Sequence, residues 1–251
     1  MWYNYTMFNE PDIYPYSVSD FSSHDALVIA PHPDDESLGC GGSIVKHMKA
    51  GSRVKVIFLT DGDKGDFEGR YGDRYIEIRK ESAREAMITL GVKDFEFWGY
   101  SDRLLHQSVQ EVREKLISAI RTFSPLIIYA PSPLEAHPDH KTAFDAVWDM
   151  REELNAPLAF YEVLMALYPN LLVDITGEMD LKKKAIESYF TEVAYNDYIT
   201  KIEGLNRFRT TTLPKPVRYA EAFFLFEKNK KPSNPIAFQY FTAALNNGFY
   251  M

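Results

Sequence analysis

The sequence holds one cysteine, Cys40, so no disulfide forms within the chain and a reducing compartment is expected. Basic residues are in deficit: 28 Lys and Arg against 36 Asp and Glu leave a net charge of -8. That balance argues against a general nucleic-acid binder, which carries a basic face. No apolar run approaches the roughly 18 residues that a membrane span requires. The opening stretch MWYNYTMFNEPDIYPYSVSDF lacks the basic start and continuous apolar core of a secretory signal, so a cytoplasmic location is the expectation. Internal repeats, low-complexity runs and a dividing linker are also missing. With 251 residues, one domain with a sizeable core follows.

What is present begins with aromatics. Residues 1–24 are rich in Tyr, Phe and Trp, interrupted by Pro11 and Pro15. Disordered arms are poor in such residues, so this arm is expected to lie on the domain or on a second copy, which is compatible with a homo-oligomer. From Ala26 onward, strand-like apolar runs alternate with helix-like stretches. The runs are Ala26–Ala30, Val54–Leu59, Phe95–Trp98 and Leu126–Ala130. The helical patterns are Ser37–Ala50, Arg74–Leu90, Val109–Phe123 and Lys141–Met150. This βαβα alternation predicts an α/β fold, with a Rossmann-like, mostly parallel sheet flanked by helices. Later strands are expected at Leu158–Val163, Leu171–Ile175 and Val217–Phe226, with a helix at Leu181–Phe190. The expected organisation is an arm over 1–24, a domain over 25–227 and a docked tail over 228–251.

Two of the strands end in polar bursts. Pro31-His32-Pro33-Asp34-Asp35 follows the first, and His137-Pro138-Asp139-His140 follows the fourth. In a parallel sheet both open on the carboxyl edge, where ligands of α/β folds collect. Prolines 31 and 33 limit the freedom of the first loop, which suits a pre-set site. Adjacent carboxylates repel unless a cation or different environments separate their tasks. Three protein ligands with an open position describe a catalytic zinc site, and His/His/Asp is a reasonable set for one. One copy of such a string is more simply a turn; two copies at two strand ends favour a metal site.

At these residues the chain resembles the LmbE-like, PIG-L-type zinc-dependent N-deacetylases. PHPDDE at 31–36 is similar to their first motif, and HPDH at 137–140 to their second. Between these, TDGDKGD, RKESAREAMITLGV and FWGYSDRLL are similar to further family segments, as is Tyr219–Phe223 near the end. The resemblance implies that His32, Asp35 and His140 hold Zn2+ or another divalent metal such as Fe2+. It implies Asp34 as general base and His137 as a second acid/base group or oxyanion stabiliser, oriented by Asp139. It implies that Asp63, Arg79 and Asp102 contact substrate hydroxyls or brace the site. The reaction implied is removal of an N-acetyl group from an N-acetylglucosamine-type sugar or glycoconjugate, with Trp98 and Tyr100 able to stack on a sugar face.

Gly39-Cys40-Gly41-Gly42 keeps a second reading open, a Rossmann-like nucleotide or sugar-nucleotide binding module without hydrolytic activity. The string lacks the G-x-G-x-x-G order and does not open a helix directly from the strand, so close helix–sheet packing is the expected role. The acidic loop from Asp61 to Asp73, with glycines at 62, 65, 69 and 72, is expected as either a solvated loop or a lid.

Overall fold

A computed structural model describes residues 10–230 and 235–246; the remainder of the expected arm and tail lies outside the described residues. The elements run β1 (Ala26–Ala30), α1 (Asp35–Lys49), β2 (Val54–Thr60), α2 (Tyr75–Leu90) and β3 (Asp94–Tyr100). There follow α3 (Val109–Phe123), β4 (Ile127–Pro131), α4 (Pro138–Asp149), β5 (Leu158–Tyr161) and β6 (Leu171–Asp174). The chain continues through α5 (Met179–Ser188), α6 (Phe190–Val193), α7 (Tyr198–Phe208), β7 (Ala220–Phe226) and α8 (Pro235–Asn246).

The strands form one seven-stranded sheet in the order β3-β2-β1-β4-β5-β7-β6. The first five are mutually parallel, and β7 runs antiparallel to both β5 and β6. Every residue of β1 and β4 is buried, which is why these strands read as unbroken apolar runs. Period-2 alternation splits β1 between two cores. Ala26, Val28 and Ala30 face the layer of α1, α2 and α5, whereas Leu27 and Ile29 face α3, α4 and α8.

Both motif-bearing helices start earlier than the sequence pattern predicts. α1 opens at Asp35, putting Asp35 and Glu36 in its first turn, where the helix dipole favours negative charge. α4 opens at Pro138, with His137 as N-cap accepting the Asp139 N–H; proline suits that first position because its missing N–H has no helical partner there. The polar bursts are thus loop-to-helix junctions. α1 also breaks at Cys40, whose backbone is non-helical (φ -141, ψ 22). Glu221 on β7 caps the second half, accepting the N–H groups of Gly42 and Ser43 at 2.8 Å each, while Lys182 donates to the same carboxylate at 2.7 Å.

The glycines of α1 serve packing. A β-carbon on Gly39 would collide with the Tyr161 ring, and one on Gly42 with Ile175 at 2.6 Å. No space remains there for a phosphate, which removes the nucleotide-cradle reading. The described arm crosses the sheet's far edge at Ser19, whose N–H donates to the Leu172 carbonyl at 2.8 Å, and it also meets the loop after α1 through Ser22, whose carbonyl accepts the Ser52 hydroxyl at 2.7 Å. At the other end, α8 buries Ala237 and Phe241, and Phe241 stacks on Phe224 with ring centroids 4.0 Å apart. Between the expected helix at Leu181–Phe190 and the late strand, where the sequence suggested no element, lie α6 and α7. α7 is capped by Asp197, which accepts the Thr200 N–H, and it buries only Ile202 and Asn206, too few for a visible period.

Candidate metal centre

β1 and β4 are adjacent and parallel, pairing Ala26 with Ile127. Their carboxyl ends therefore bring His32-Pro33-Asp34-Asp35 beside His137-Pro138-Asp139-His140 at the switch point of the sheet, where strand order reverses. Asp34 is held at φ 143, a region sparsely populated by non-glycine residues. Neighbours fix it there. The Asp34 N–H donates to Glu36 at 3.1 Å, the Thr60 hydroxyl and N–H both donate to the Pro31 carbonyl, and Arg79 donates to the Pro33 carbonyl.

Three ligand-type atoms converge at the junction. His32 Nδ1 lies 3.1 Å from Asp35 Oδ2 and 3.3 Å from His140 Nε2, and His140 Nε2 lies 3.1 Å from Asp35 Oδ2. A tetrahedral centre with bonds of about 2.0–2.1 Å has ligand–ligand edges of about 3.3–3.4 Å, so the triangle nearly matches one face of such a centre. The far side of each ring fixes its proton. His32 Nε2 lies 3.2 Å from Asp139 Oδ2 and 3.3 Å from Asp102 Oδ1, which assigns the proton to Nε2 and leaves the Nδ1 lone pair facing the triangle. His140 Nδ1 is buried without a hydrogen bond, 3.5 Å from Glu135 Oε2. These donors fit a divalent metal.

The charges point the same way. Burial opposes a charge on His32, but its hydrogen bonds to Asp102, Asp139 and Asp35 outweigh that and raise it well above the usual range. His140 is likewise penalised by burial yet raised to about 9 by Asp35. For Asp35, burial is overcome by His140 and His32, and the carboxyl is held far below the usual range. The cluster attracts positive charge. His137 behaves oppositely, because burial and the neighbouring His32 and His140 push it down to about 4.

Other groupings also bring ligand atoms within 4.8 Å, namely His32 with His137 and His140, and His32 with Asp102, His137 and Asp139. Their members outside the triangle, Asp102, His137 and Asp139, have other partners. Asp139 accepts the N–H groups of Arg103 at 2.6 Å and Leu105 at 3.2 Å, and His137 Nδ1 accepts the Asp139 N–H at 3.3 Å. His32 Nδ1, Asp35 Oδ2 and His140 Nε2 are the ligand-type atoms that lie nearest one another, and Asp35 Oδ2 also accepts the His32 backbone N–H at 2.9 Å.

The centre opens into a cleft of about 360 Å³ that Asp34, Arg79, Asp102 and His137 also line. Phe67, Val163, Leu164, Tyr195, Asn196 and Tyr198 line it as well. Burial pushes the Asp34 carboxyl well above the usual carboxylate range, although Arg79 at 3.6 Å opposes this. Arg79 is shared: it also pairs with Glu192 of α6, which in turn accepts the Tyr75 hydroxyl at 2.7 Å.

Further residues expected at the site have these surroundings. The Asp139 carboxylate lies against His32 at 3.2 Å and stands 4.0 Å from His137 Nδ1, so it orients the former imidazole, while the Asp139 N–H holds the latter. His137 Nε2 faces Asp102 at 3.5 Å. Asp63 is not among the residues lining the cleft. It accepts the Asp102 N–H at 2.7 Å and the Ser101 hydroxyl at 3.2 and 3.1 Å, and so braces the loop that carries Asp102. Trp98 and Tyr100 point to the α3 layer, with the Lys115 ammonium 4.6 Å and 4.9 Å from their ring centroids, away from the cleft. The sequence reading missed Glu135, Glu192, Tyr195 and Tyr198. Glu135 carried a signal, standing two residues before His137; the other three lie between the helix and the late strand expected from the sequence, where no element was expected.

Comparison with known proteins accords with this geometry. The PIG-L family model, described as GlcNAc-PI de-N-acetylase, matches residues 27–151. Diacetylchitobiose deacetylase of Thermococcus kodakarensis is 34% identical over 189 residues, covering 66% of this chain and 70% of its own. A probable N-acetyl-alpha-D-glucosaminyl L-malate deacetylase of Bacillus anthracis is 25% identical over 224 residues, covering 81% and 97%. The structure of N,N'-diacetylchitobiose deacetylase from Pyrococcus horikoshii, bound to an inhibitor, superposes with a TM-score of 0.71 at 28% identity, covering 86% of this chain and 88% of the other. With both His-Asp motifs on the matched fold, the chain belongs to the PIG-L (LmbE-like) family.

Proposed function

We propose that this chain is a metal-dependent deacetylase that removes the acetyl group from an N-acetylglucosamine-type sugar or sugar conjugate. The observation that carries the proposal is the triangle of His32 Nδ1, Asp35 Oδ2 and His140 Nε2, 3.1 to 3.3 Å apart, beside an uncoordinated Asp34 on the same cleft. The donor set suits zinc and also accepts ferrous iron. When bound there, the metal supplies Lewis-acid chemistry, acidifying water and polarising the acetyl carbonyl.

The chain's own groups supply the rest. Asp34 takes the proton of the attacking water, a role suited by a carboxyl that burial has made more basic. Arg79 and the fixed backbone around residue 34 hold that carboxylate in place. His137 keeps its proton on Nε2, because Nδ1 accepts the Asp139 N–H, and it stays neutral near pH 7 because its pKa is pushed down to about 4. It is therefore a neutral donor for the negative charge that develops on the carbonyl oxygen. Cleavage of the C–N bond passes the proton from Asp34 to the leaving nitrogen, giving acetate and a free amine.

The test is metal content by elemental analysis of wild type and His140→Ala, alongside amine release from N-acetylglucosamine conjugates. The proposal expects stoichiometric metal and free amine in wild type, and neither in the variant. Bound metal without amine release from any acetamido sugar would overturn the substrate class. Failure to take up metal after reconstitution would overturn the metal centre.

A further inference from the structure

Glu135 is fully buried in the loop between β4 and α4, and its carboxylate faces two ways. Oε1 accepts the Val163 N–H at 2.7 Å and the Met165 N–H at 3.2 Å, and the Leu164 N–H is shared between both oxygens at 3.2 Å each. Oε2 also faces His140 Nδ1 at 3.5 Å. That nitrogen is buried and makes no hydrogen bond. One carboxylate therefore hangs the segment after β5 and stands behind a ring of the metal triangle. Val163 and Leu164 line the same cleft as His140, so the segment it hangs is a wall of the substrate site.

We propose that Glu135 is a positioning residue that ties the orientation of the His140 imidazole to the seating of the Val163–Leu164 wall. The inference rests on His140 being a metal ligand. For Nε2 to offer its lone pair, the proton must sit on Nδ1, and Glu135 Oε2 is the acceptor facing that N–H; such a partner fixes both tautomer and ring orientation. The three amides of 163–165 need the same carboxylate, because a buried N–H without an acceptor is costly. Metal affinity and substrate affinity thus share one side chain.

Glutamine separates the two tasks. With its single carbonyl oxygen on the 163–165 amides, its NH2 group meets the His140 N–H donor to donor. Zn2+ affinity is measured on metal-free full-length protein by competition with a chromogenic chelator, which needs no substrate. Glu135→Gln is expected to weaken Zn2+ about 10- to 100-fold, while KM in the metal-saturated enzyme stays close to wild type. Glu135→Ala is expected to weaken Zn2+ and also raise KM, and Leu164→Ala to raise KM alone. Thermal unfolding of the metal-free variants tests their folding; should the alanine variant fail to fold, the glutamine and Leu164 variants still decide. Wild-type Zn2+ affinity in Glu135→Gln overturns the inference and leaves the proposed function standing. A wild-type chain that takes up no Zn2+ overturns the metal centre itself, and this inference with it.

Discussion

Two buried charged clusters touch α1, and they are built on opposite rules. At the break in the helix, Glu221 meets only donors: the N–H groups of Gly42 and Ser43, the Ser43 hydroxyl at 2.6 Å and the Lys182 ammonium at 2.7 Å. Lys182 and Glu221 are almost wholly excluded from solvent, and each satisfies the other. At the start of the helix, His32 Nδ1, Asp35 Oδ2 and His140 Nε2 converge on one another at 3.1 to 3.3 Å. His140 Nδ1 is left without a hydrogen bond. Burial is similar in both places; what differs is whether donors and acceptors cancel. Where they cancel, the charges hold the fold together. Where ligand-type atoms converge, the arrangement is the one proposed to hold a cation.

That contrast can be broken at either end. The largest effect is expected from Asp34→Asn, which should keep stoichiometric metal yet lower turnover by about 10²- to 10⁴-fold, the usual contribution of a general base. Steady-state amine release with elemental analysis on the same sample checks it, and unchanged turnover would remove Asp34 as the base. Lys182→Met should act in the opposite sense. Leaving Glu221 buried without its cation should cost about 3–5 kcal/mol of stability in urea unfolding, while each folded chain still binds metal in wild-type stoichiometry. His137→Ala should retain metal and reduce kcat by a smaller factor than Asp34→Asn; a metal-free product would make His137 a ligand. The smallest effect sharpens the boundary of the cleft. Trp98→Ala should leave KM for the sugar unchanged, since Lys115 and the α3 layer cover that ring.

The parts of this picture that the sequence discloses share a physical cause. Strands buried on both faces are largely apolar, so β1, β4 and, apart from Lys55 and Thr60, β2 announce themselves, and the polar bursts at their ends mark the sheet edge where the site lies. α3, with a strongly one-sided apolar stripe, has the boundaries that its periodicity predicts, Val109 to Phe123. Glu192 is hidden for the converse reason. Its partner Arg79 lies more than a hundred residues earlier, and a single buried carboxylate on the one-turn helix α6 leaves no period to read. Trp98 and Tyr100 misled because closeness to Asp102 in the chain is not closeness in space. Strand alternation sends Phe95 and Phe97 to one core and Trp98 and Tyr100 to the other.

The placement of β7 has a consequence for the order in which the molecule is completed. Among the described residues β6 pairs with no strand but β7, and Ser19 of the N-terminal arm bonds to β6. Until residues 220–226 have been synthesised, β5 ends the sheet with an unpaired edge, and β6 has no strand to pair with. Glu221 arrives on the same strand, so the helix that begins with Asp35 lacks its internal cap for as long. All three triangle residues lie within the first 140 positions, yet the last strand completes their setting. A nascent or truncated chain ending before residue 220 would carry both motifs and still expose a bare strand edge, a template for aggregation.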